Sequence, residues 1–140
     1  MAYLLDTVAL SELRKKSKGE RAVVQWQRTE GGALAFISVI TMNEIRYGAR
    51  MVMSRDPGFG ARLDLWYREI LAADSLYAIL PVDLAIAEQA ADFRSAHGLS
   101  YNDSLIAATA NVHDLTLATR NTSDFRKTGV RIFNPWDFKR

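Results

Sequence analysis

The chain has 140 residues, no cysteine, a hydrophobic fraction of 49% and a charged fraction of 24%. These values predict one globular domain spanning residues 1–140, and they exclude a disulfide framework, thiolate metal ligands and a cysteine nucleophile. The net charge of +2 is too small to identify a partner. Basic residues cluster at 14–21 and 120–127, where solvated surface and contact with nucleic-acid phosphates both remain open.

The N-terminus, Met1–Asp6, carries no basic side chain and reaches an acid at position 6. We therefore expect no signal peptide. No apolar run approaches the ~20 residues needed to cross a bilayer. Together these features predict a cytoplasmic location without membrane contact.

The first half of the chain alternates predicted strands and helices. The strands are Tyr3–Leu5 and Leu34–Val39, and the helices are Ala22–Arg28, Thr41–Met53 and Gly58–Ala73. Ser11 is expected to cap a short helix after the first strand, and Gly31-Gly32 to end the helix that follows. Proline and glycine mark Ser54–Gly60 as a loop within the domain.

The second half continues the alternation. Asp83 and Gly98 are expected to cap the two ends of a helix that runs to His97. The other predicted elements are a strand over Leu76–Val82, a helix over Asn102–His113, and strands over Leu115–Thr119 and Val130–Phe133. Strands separated by helices predict an α/β fold, a sandwich of three layers with a mostly parallel central sheet and helices on both faces.

Four of the 16 acidic residues lie where a parallel sheet collects functional groups, outside the carboxyl ends of its strands. Asp6 directly follows the first strand, and Glu44 lies in the first turn of the helix after the second long strand. Asp103 opens a helix, and Asp124 lies just beyond the strand Leu115–Thr119. Oxygen ligands without nearby histidine or cysteine favour Mg²⁺ or Mn²⁺ over Zn²⁺. Such a site supports in-line cleavage of a phosphodiester bond by water.

Each of these acids also has a structural alternative. Asp6 could begin an Asx-turn, and Asp103 could complement a helix dipole. The segment Thr41–Glu44 matches a capping box, in which Glu44 bonds back to the cap backbone. Asp124 could lie in an ordinary surface turn. The metal site therefore depends on the joint placement of all four acids at one edge of the sheet.

Other polar residues flank these acids. Thr7, Thr119 and Asn121 are candidates to orient carboxylates or bound water, with ordinary turn chemistry as the alternative. Asp114 precedes its strand and is expected at the opposite edge. His97 ends a predicted helix, where a cationic side chain is favourable, and we interpret it as structural.

Four sequence blocks carry a resemblance to a known family. They are LLDTVALSEL at 4–13, ISVITMNEIRYG at 37–48, NDSLIAATA at 102–110 and LATRNTSDF at 117–125. In this order and spacing they resemble the PIN-domain ribonucleases, and within them the VapC-like toxins of bacterial toxin–antitoxin modules. The blocks span nearly the whole chain.

This resemblance implies that Asp6, Glu44, Asp103 and Asp124 are metal-binding acids in a parallel α/β sandwich. It also implies an endoribonuclease that uses Mg²⁺ or Mn²⁺, forms a homodimer and is silenced by a small antitoxin. In the family the antitoxin inserts a C-terminal segment, often with an arginine, into the active-site groove, and its other end binds the operon's own DNA. Val8 departs from the family pattern, since this position is often asparagine, and Asn102 also differs.

Other functions fit the sequence less well. A phosphatase of the haloacid dehalogenase type needs a second aspartate at the position of Val8, and a receiver-like phosphoacceptor needs an acidic pair that is not evident. The stronger alternative is a PIN-like binding module without catalysis that acts by sequestering a partner. The presence of all four acids favours the nuclease.

Overall fold

The computed structural model describes residues 1–30 and 35–139, so the predicted helix stop at Gly31-Gly32 and strand start at Leu34 lie outside the described residues. Within these ranges the strands are β1 (Tyr3–Leu5), β2 (Ala35–Ser38), β3 (Tyr77–Leu80), β4 (Thr116–Ala118) and β5 (Ile132–Phe133). The helices are α1 (Thr7–Arg14), α2 (Arg21–Thr29), α3 (Val39–Met53), α4 (Pro57–Leu71), α5 (Leu84–His97), α6 (Tyr101–Val112) and α7 (Thr122–Arg126). Short 3₁₀ helices cover Lys16–Lys18 and Pro135–Asp137.

The sheet has the strand order β3-β2-β1-β4-β5, and every neighbouring pair is parallel. Leu4 of the central strand is in register with Phe36 of β2 and Leu117 of β4. The predicted α/β fold with a parallel sheet is thus confirmed. Because all strands point the same way, their carboxyl ends share one edge, which we call the carboxyl edge.

Alternate residues of β1 supply two hydrophobic cores, one on each face of the sheet. Leu4 packs with α5 and α6 in a core that includes Ile86 and Ala107. Leu5 packs on the other face with Leu10 and other side chains of α1 to α4. The prediction of helices on both faces is confirmed. No helix in the described part of the chain has the length and apolar character that a membrane crossing requires.

Both predicted caps of α5 are confirmed. The Asp83 carboxylate accepts a hydrogen bond from the Ile86 amide at 3.0 Å, which satisfies one of the free amides of the first turn. At the other end, Gly98 adopts a left-handed conformation with φ of 69°. A side chain with a Cβ is strained at such a φ, so glycine is the residue that ends this helix at low cost.

Two predicted helix starts near the carboxyl edge are wrong. Asp6, not Ser11, caps α1, because its carboxylate reaches the Ala9 amide at 2.8 Å directly after the strand. Ser38, not Thr41, caps α3 by accepting from the Ile40 amide at 3.0 Å. The β-branched Val39 was predicted as the last residue of the strand, but the serine cap makes it the first residue of the helix.

The loop predicted over Ser54–Gly60 is shorter in the structure. Pro57 is the first residue of α4, where its missing amide hydrogen costs nothing, and Asp56 caps the helix. Gly60 is buried inside α4, and a Cβ there would lie 3.0 Å from Met53 Cα. Glycine therefore allows α3 and α4 to approach closely, which is why a helix-breaking residue is found within a helix.

A comparison of two helical glycines tests this packing. Gly48 lies in α3, and a Cβ added there would have no neighbouring atom within 4 Å, so Gly48→Ala should raise the free energy of unfolding by about 0.5–1 kcal/mol. Gly60→Val should lower it by about 1–3 kcal/mol, because the added carbons push against Met53. Urea unfolding measures both, and a Gly60→Val variant as stable as the unaltered protein would contradict the close approach.

Candidate active site

Asp6 is held at the carboxyl edge by contacts with two other segments. Its amide donates to the Ala118 carbonyl of β4 at 3.1 Å. One carboxylate oxygen accepts from the Ala9 amide at 2.8 Å, and the other accepts from the Thr119 hydroxyl at 2.6 Å. The side chain is buried, and a carboxylate offers about four lone-pair sites, so two remain for other partners.

Glu44 is oriented by a threonine from the helix opposite. The Thr7 hydroxyl donates to Glu44 Oε1 at 2.6 Å, and it lies 3.1 Å from the buried Thr41 hydroxyl. Glu44 lies in the second turn of α3, since that helix begins at Val39. The capping-box alternative for Thr41–Glu44 is therefore wrong: Thr41 is inside the helix, and the glutamate carboxylate accepts from Thr7.

Asp103 occupies the third position of α6, one residue later than predicted, because the helix begins at Tyr101 and is capped by Ser100. The Ser100 hydroxyl accepts from the Asp103 amide at 3.2 Å. The carboxylate is half-buried. Its position suits the helix dipole, so the structural role considered from the sequence and a role in the site are compatible.

Asp124 is exposed on α7, a short helix that the sequence did not predict. Asn121 donates to its carboxylate from Nδ2 at 2.9 Å. The Asn121 amide also donates to the Thr119 hydroxyl at 3.0 Å, and that hydroxyl in turn donates to Asp6. Thr119 and Asn121 therefore connect the segment that carries Asp124 to the buried carboxylate of Asp6.

Charge couples these acids to one another. Burial raises the pKa of Asp6 above its ordinary value of 3.8, and the charges of Asp103 and Glu44 raise it further. Hydrogen bonds from Thr119 and Ala9 lower this pKa, but the net shift is upward. Burial also raises the pKa of Asp103; the charges of Glu44 and Asp124 add to this, and Ser100 lowers it through a hydrogen bond. The structure thus brings all four predicted acids within electrostatic reach.

The donor chemistry of this cluster fits a hard divalent cation. Within residues 1–30 and 35–139, however, no three acidic or histidine side chains lie close enough together to ligate one ion directly. The acids form a region of uncompensated negative charge, not a preformed ligand shell. This arrangement suits Mg²⁺, which retains several water molecules and is commonly bound by one or two carboxylates.

The sequence did not reveal every polar residue of the site. Thr41 and Ser100 were missed, because the sequence does not show whether a hydroxyl near a helix start caps that helix or contacts a side chain of another element. Asp114 was placed at the opposite edge, and it lies immediately before β4, where it pairs with Arg131 at 2.8 Å. Val8, the main departure from the family pattern, is exposed, and the described hydrogen bonds of the Asp6 carboxylate come from Ala9 and Thr119 instead.

Comparison with known proteins identifies relatives across the whole chain. Residues 3–130 match the PIN domain family. The chain is 35% identical over 141 residues to a protein named VapC ribonuclease Y4jK from Sinorhizobium fredii, covering 96% of this chain and 97% of the relative. It is also 35% identical to Toxin FitB from Neisseria gonorrhoeae, with 95% and 97% of the two chains covered.

Solved structures agree with these relatives. The crystal structure of FitAcB from Neisseria gonorrhoeae superposes with a TM-score of 0.78 at 33% identity, covering 97% of this chain and 99% of the other. The structure of FitAB bound to an IR36 DNA fragment gives a TM-score of 0.79 at 29% identity and covers 99% and 98%. The resemblance noted in the sequence is therefore confirmed by independent matches in sequence and in fold.

Neutralising Asp6 should stabilise the fold at alkaline pH. Because folding raises the pKa of Asp6, the folded chain holds the proton of this carboxyl more tightly than the unfolded chain does. The free energy of unfolding therefore falls as the pH rises from 3.8 through the raised pKa. In EDTA at pH 8, we expect Asp6→Asn to melt at a higher temperature than the unaltered protein. The difference should narrow toward pH 4, where Asp6 itself takes up the proton.

Thermal melting at a series of pH values measures this difference. Asp92→Asn, an exposed acid on α5, is the matched control for the loss of one negative charge. If the difference in melting temperature between Asp6→Asn and the unaltered protein instead widens as the pH falls, the buried charge of Asp6 is not what destabilises the fold.

Proposed function

Since the chain belongs to the PIN domain family, among the VapC- and FitB-like toxins of toxin–antitoxin systems, we propose that it is a Mg²⁺- or Mn²⁺-dependent endoribonuclease. It acts as the toxin of such a pair and hydrolyses RNA phosphodiester bonds at Asp6, Glu44, Asp103 and Asp124. The observation that carries this proposal is the cluster of acids at the carboxyl edge. Thr119 and Thr7 orient the carboxylates of Asp6 and Glu44, the charge of Asp103 acts on Asp6, and the charges of Glu44 and Asp124 act on Asp103. A cytoplasmic location would give the enzyme access to cellular RNA.

Asp6, Glu44, Asp103 and Asp124 would hold the cation, one or two of them directly and the others through its bound water molecules. When bound there, a divalent cation neutralises the phosphate and lowers the pKa of water. Hydrolysis forms a bond from the water oxygen to phosphorus and breaks the opposite phosphorus–oxygen bond, and the departing oxygen gains a proton. Burial and the neighbouring negative charges raise the pKa of Asp6 and Asp103, and a bound cation would relieve both costs by stabilising the ionised carboxylates.

The threonines fix the direction in which the acids point. Thr119 occupies one oxygen of Asp6, and Thr7 occupies one oxygen of Glu44, both at 2.6 Å. A hydroxyl donor orients a carboxylate without neutralising it, so the negative charge that attracts the cation is kept. This is the role of partners outside the ligand set in metal sites, where their loss typically costs 10–100-fold in affinity or activity.

We extend the proposal to the partners of a toxin. A small antitoxin would silence the chain by covering the acids, most simply with a basic side chain that replaces the cation. Relatives solved as FitAcB and as a toxin–antitoxin complex from Klebsiella pneumoniae support such a partner, and FitAB bound to DNA supports DNA contact through the antitoxin. A homodimer is the assembly expected of this family.

A catalytically inactive binding module remains the second candidate. The same fold without a functional metal site would act by sequestering its partner. The preserved acids and the threonines that orient them argue against it, because a module of that kind gains nothing from the destabilising burial of charge at Asp6.

The purified chain, free of any partner, should cleave structured cellular RNA in Mn²⁺ or Mg²⁺ and not in EDTA. Asp6→Asn should abolish the cleavage, since it removes a carboxylate charge without changing shape. Thr119→Val should reduce it by about 10–100-fold, because only the hydroxyl that orients Asp6 is lost. Gel electrophoresis of the RNA fragments measures all three.

Discrete fragments that persist with Asp6→Asn would identify a contaminating nuclease. The absence of cleavage by the unaltered chain, with every RNA in the pool, would instead favour the binding module.

Metal binding should be visible without any RNA. A cation that binds only the folded state at 100 times its dissociation constant stabilises the fold by about 2.7 kcal/mol. We therefore expect Mn²⁺ to raise the melting temperature of the unaltered chain and to leave Asp6→Asn nearly unchanged. Equal shifts in both proteins would show that the ion binds elsewhere.

A further inference from the structure

A polar cavity of about 230 Å³ lies beside two of the four acids. Asp103 and Asp124 form one part of its lining, and His97, Ser100 and Lys127 contribute to the rest. These side chains come from the end of α5, the start of α6 and the residues after α7. The cavity is thus continuous with the proposed catalytic site and brings a positive side chain next to its acids.

Lys127 is exposed and shares this cavity with the acids without pairing with them. The ion pairs found in the described ranges join Lys15 to Glu12, Arg50 to Asp64 and Arg131 to Asp114, and none includes Lys127. The ammonium group of Lys127 is therefore available to pair with an anionic ligand. An anion that enters the cavity would be attracted to Lys127 and repelled by the acids.

A second hollow of about 390 Å³ lies on the other side of the turn between α5 and α6, and Leu99 belongs to the lining of both. Arg94 lines the second hollow, and its guanidinium carbon lies 5.0 Å from the centre of the Tyr101 ring. Tyr101 itself is 62% exposed. A large aromatic ring that is held by an arginine yet open to solvent offers a flat surface for stacking.

We propose that Lys127 and the α5–α6 turn, residues 97–101, bind the RNA strand on one side of the cleaved bond. Lys127 contacts a phosphate next to the scissile one, and Tyr101, steadied by Arg94, stacks one base. A nucleotide combines an anionic group with a flat ring. The surface offers a cation in the cavity beside the acids, and an exposed aromatic ring at Tyr101, which directly follows Ser100 of the cavity lining. The inference rests on the proposed function, since it names how the same site holds its substrate.

The test measures binding apart from cleavage. In an Asp6→Asn background, the affinity for a fluorescein-labelled single-stranded RNA of 12 nucleotides is followed by anisotropy in EDTA at increasing KCl concentration. Each phosphate contact to a single strand contributes about 0.7 to the slope of log affinity against log salt concentration. Lys127→Ala should lower that slope by about this amount, and Lys127→Arg should restore it.

Three further variants complete the design. Arg55→Ala removes one exposed positive charge at the far end of α3, in the turn before α4, and should leave the slope unchanged. Tyr101→Leu should weaken binding by about 5-fold or more, since stacking of one base on an aromatic ring is worth about 1–3 kcal/mol. Tyr101→Phe keeps the ring and should bind like the parent.

In the cleaving background, Lys127→Ala and Tyr101→Leu should raise KM with a smaller change in kcat. An unchanged salt slope with Lys127→Ala, together with equal affinity for Tyr101→Leu and Tyr101→Phe, would overturn the inference. Failure of the unaltered chain to cleave RNA would overturn the proposed function instead, and the anisotropy experiment does not depend on cleavage.

Discussion

The Asp6 carboxylate is the point at which the fold and the candidate site depend on the same interaction. One oxygen completes the first turn of α1 through Ala9, and the other receives the Thr119 hydroxyl from the segment after β4. A buried carboxylate without such donors would cost several kcal/mol. The hydrogen bonds reduce this cost without removing it, because the pKa of Asp6 stays raised. The chain thus retains a destabilising charge at the edge where its strands end.

Asp6 and Glu44 have a different kind of partner from the acids that form ion pairs. Asp64 and Asp114, which lie outside the site, pair with arginines. The described contacts of Asp6 and Glu44 are instead a backbone amide and threonine hydroxyls. Neutral donors fix the orientation of a carboxylate and leave its charge for a cation. Among the acids of the described residues, Asp6 and Glu44 are the two that accept from threonine hydroxyls, and this feature distinguishes the site more than the number of its acids.

The sequence predicted the elements whose pattern is strong and missed those decided by one side chain. The apolar strands and the caps of α5 were found because burial and left-handed backbone leave clear signals at Leu4, Asp83 and Gly98. The start of α3 was misplaced, since a serine cap competes with the strand preference of β-branched residues. That error also moved Glu44 into the wrong turn. The helix α7 has five residues, too few to show a helical periodicity in the sequence. The contact between Thr7 and Glu44 joins residues 37 positions apart, so no local sequence pattern predicts it.

The basic residues show the same limit of sequence analysis, since residues that cluster in the sequence need not cluster in the folded structure. Arg14 ends α1, which starts at the carboxyl edge and spans about 12 Å, so its guanidinium lies away from the acids, over the rings of Phe59 and Trp66. Lys15 pairs with Glu12. The basic run at 14–21 therefore gains little support as a phosphate-binding surface, whereas the less conspicuous Lys127 shares a cavity with Asp103 and Asp124. The proposed recognition of RNA by a chain of net charge +2 therefore depends on where a few cations lie, not on how many there are.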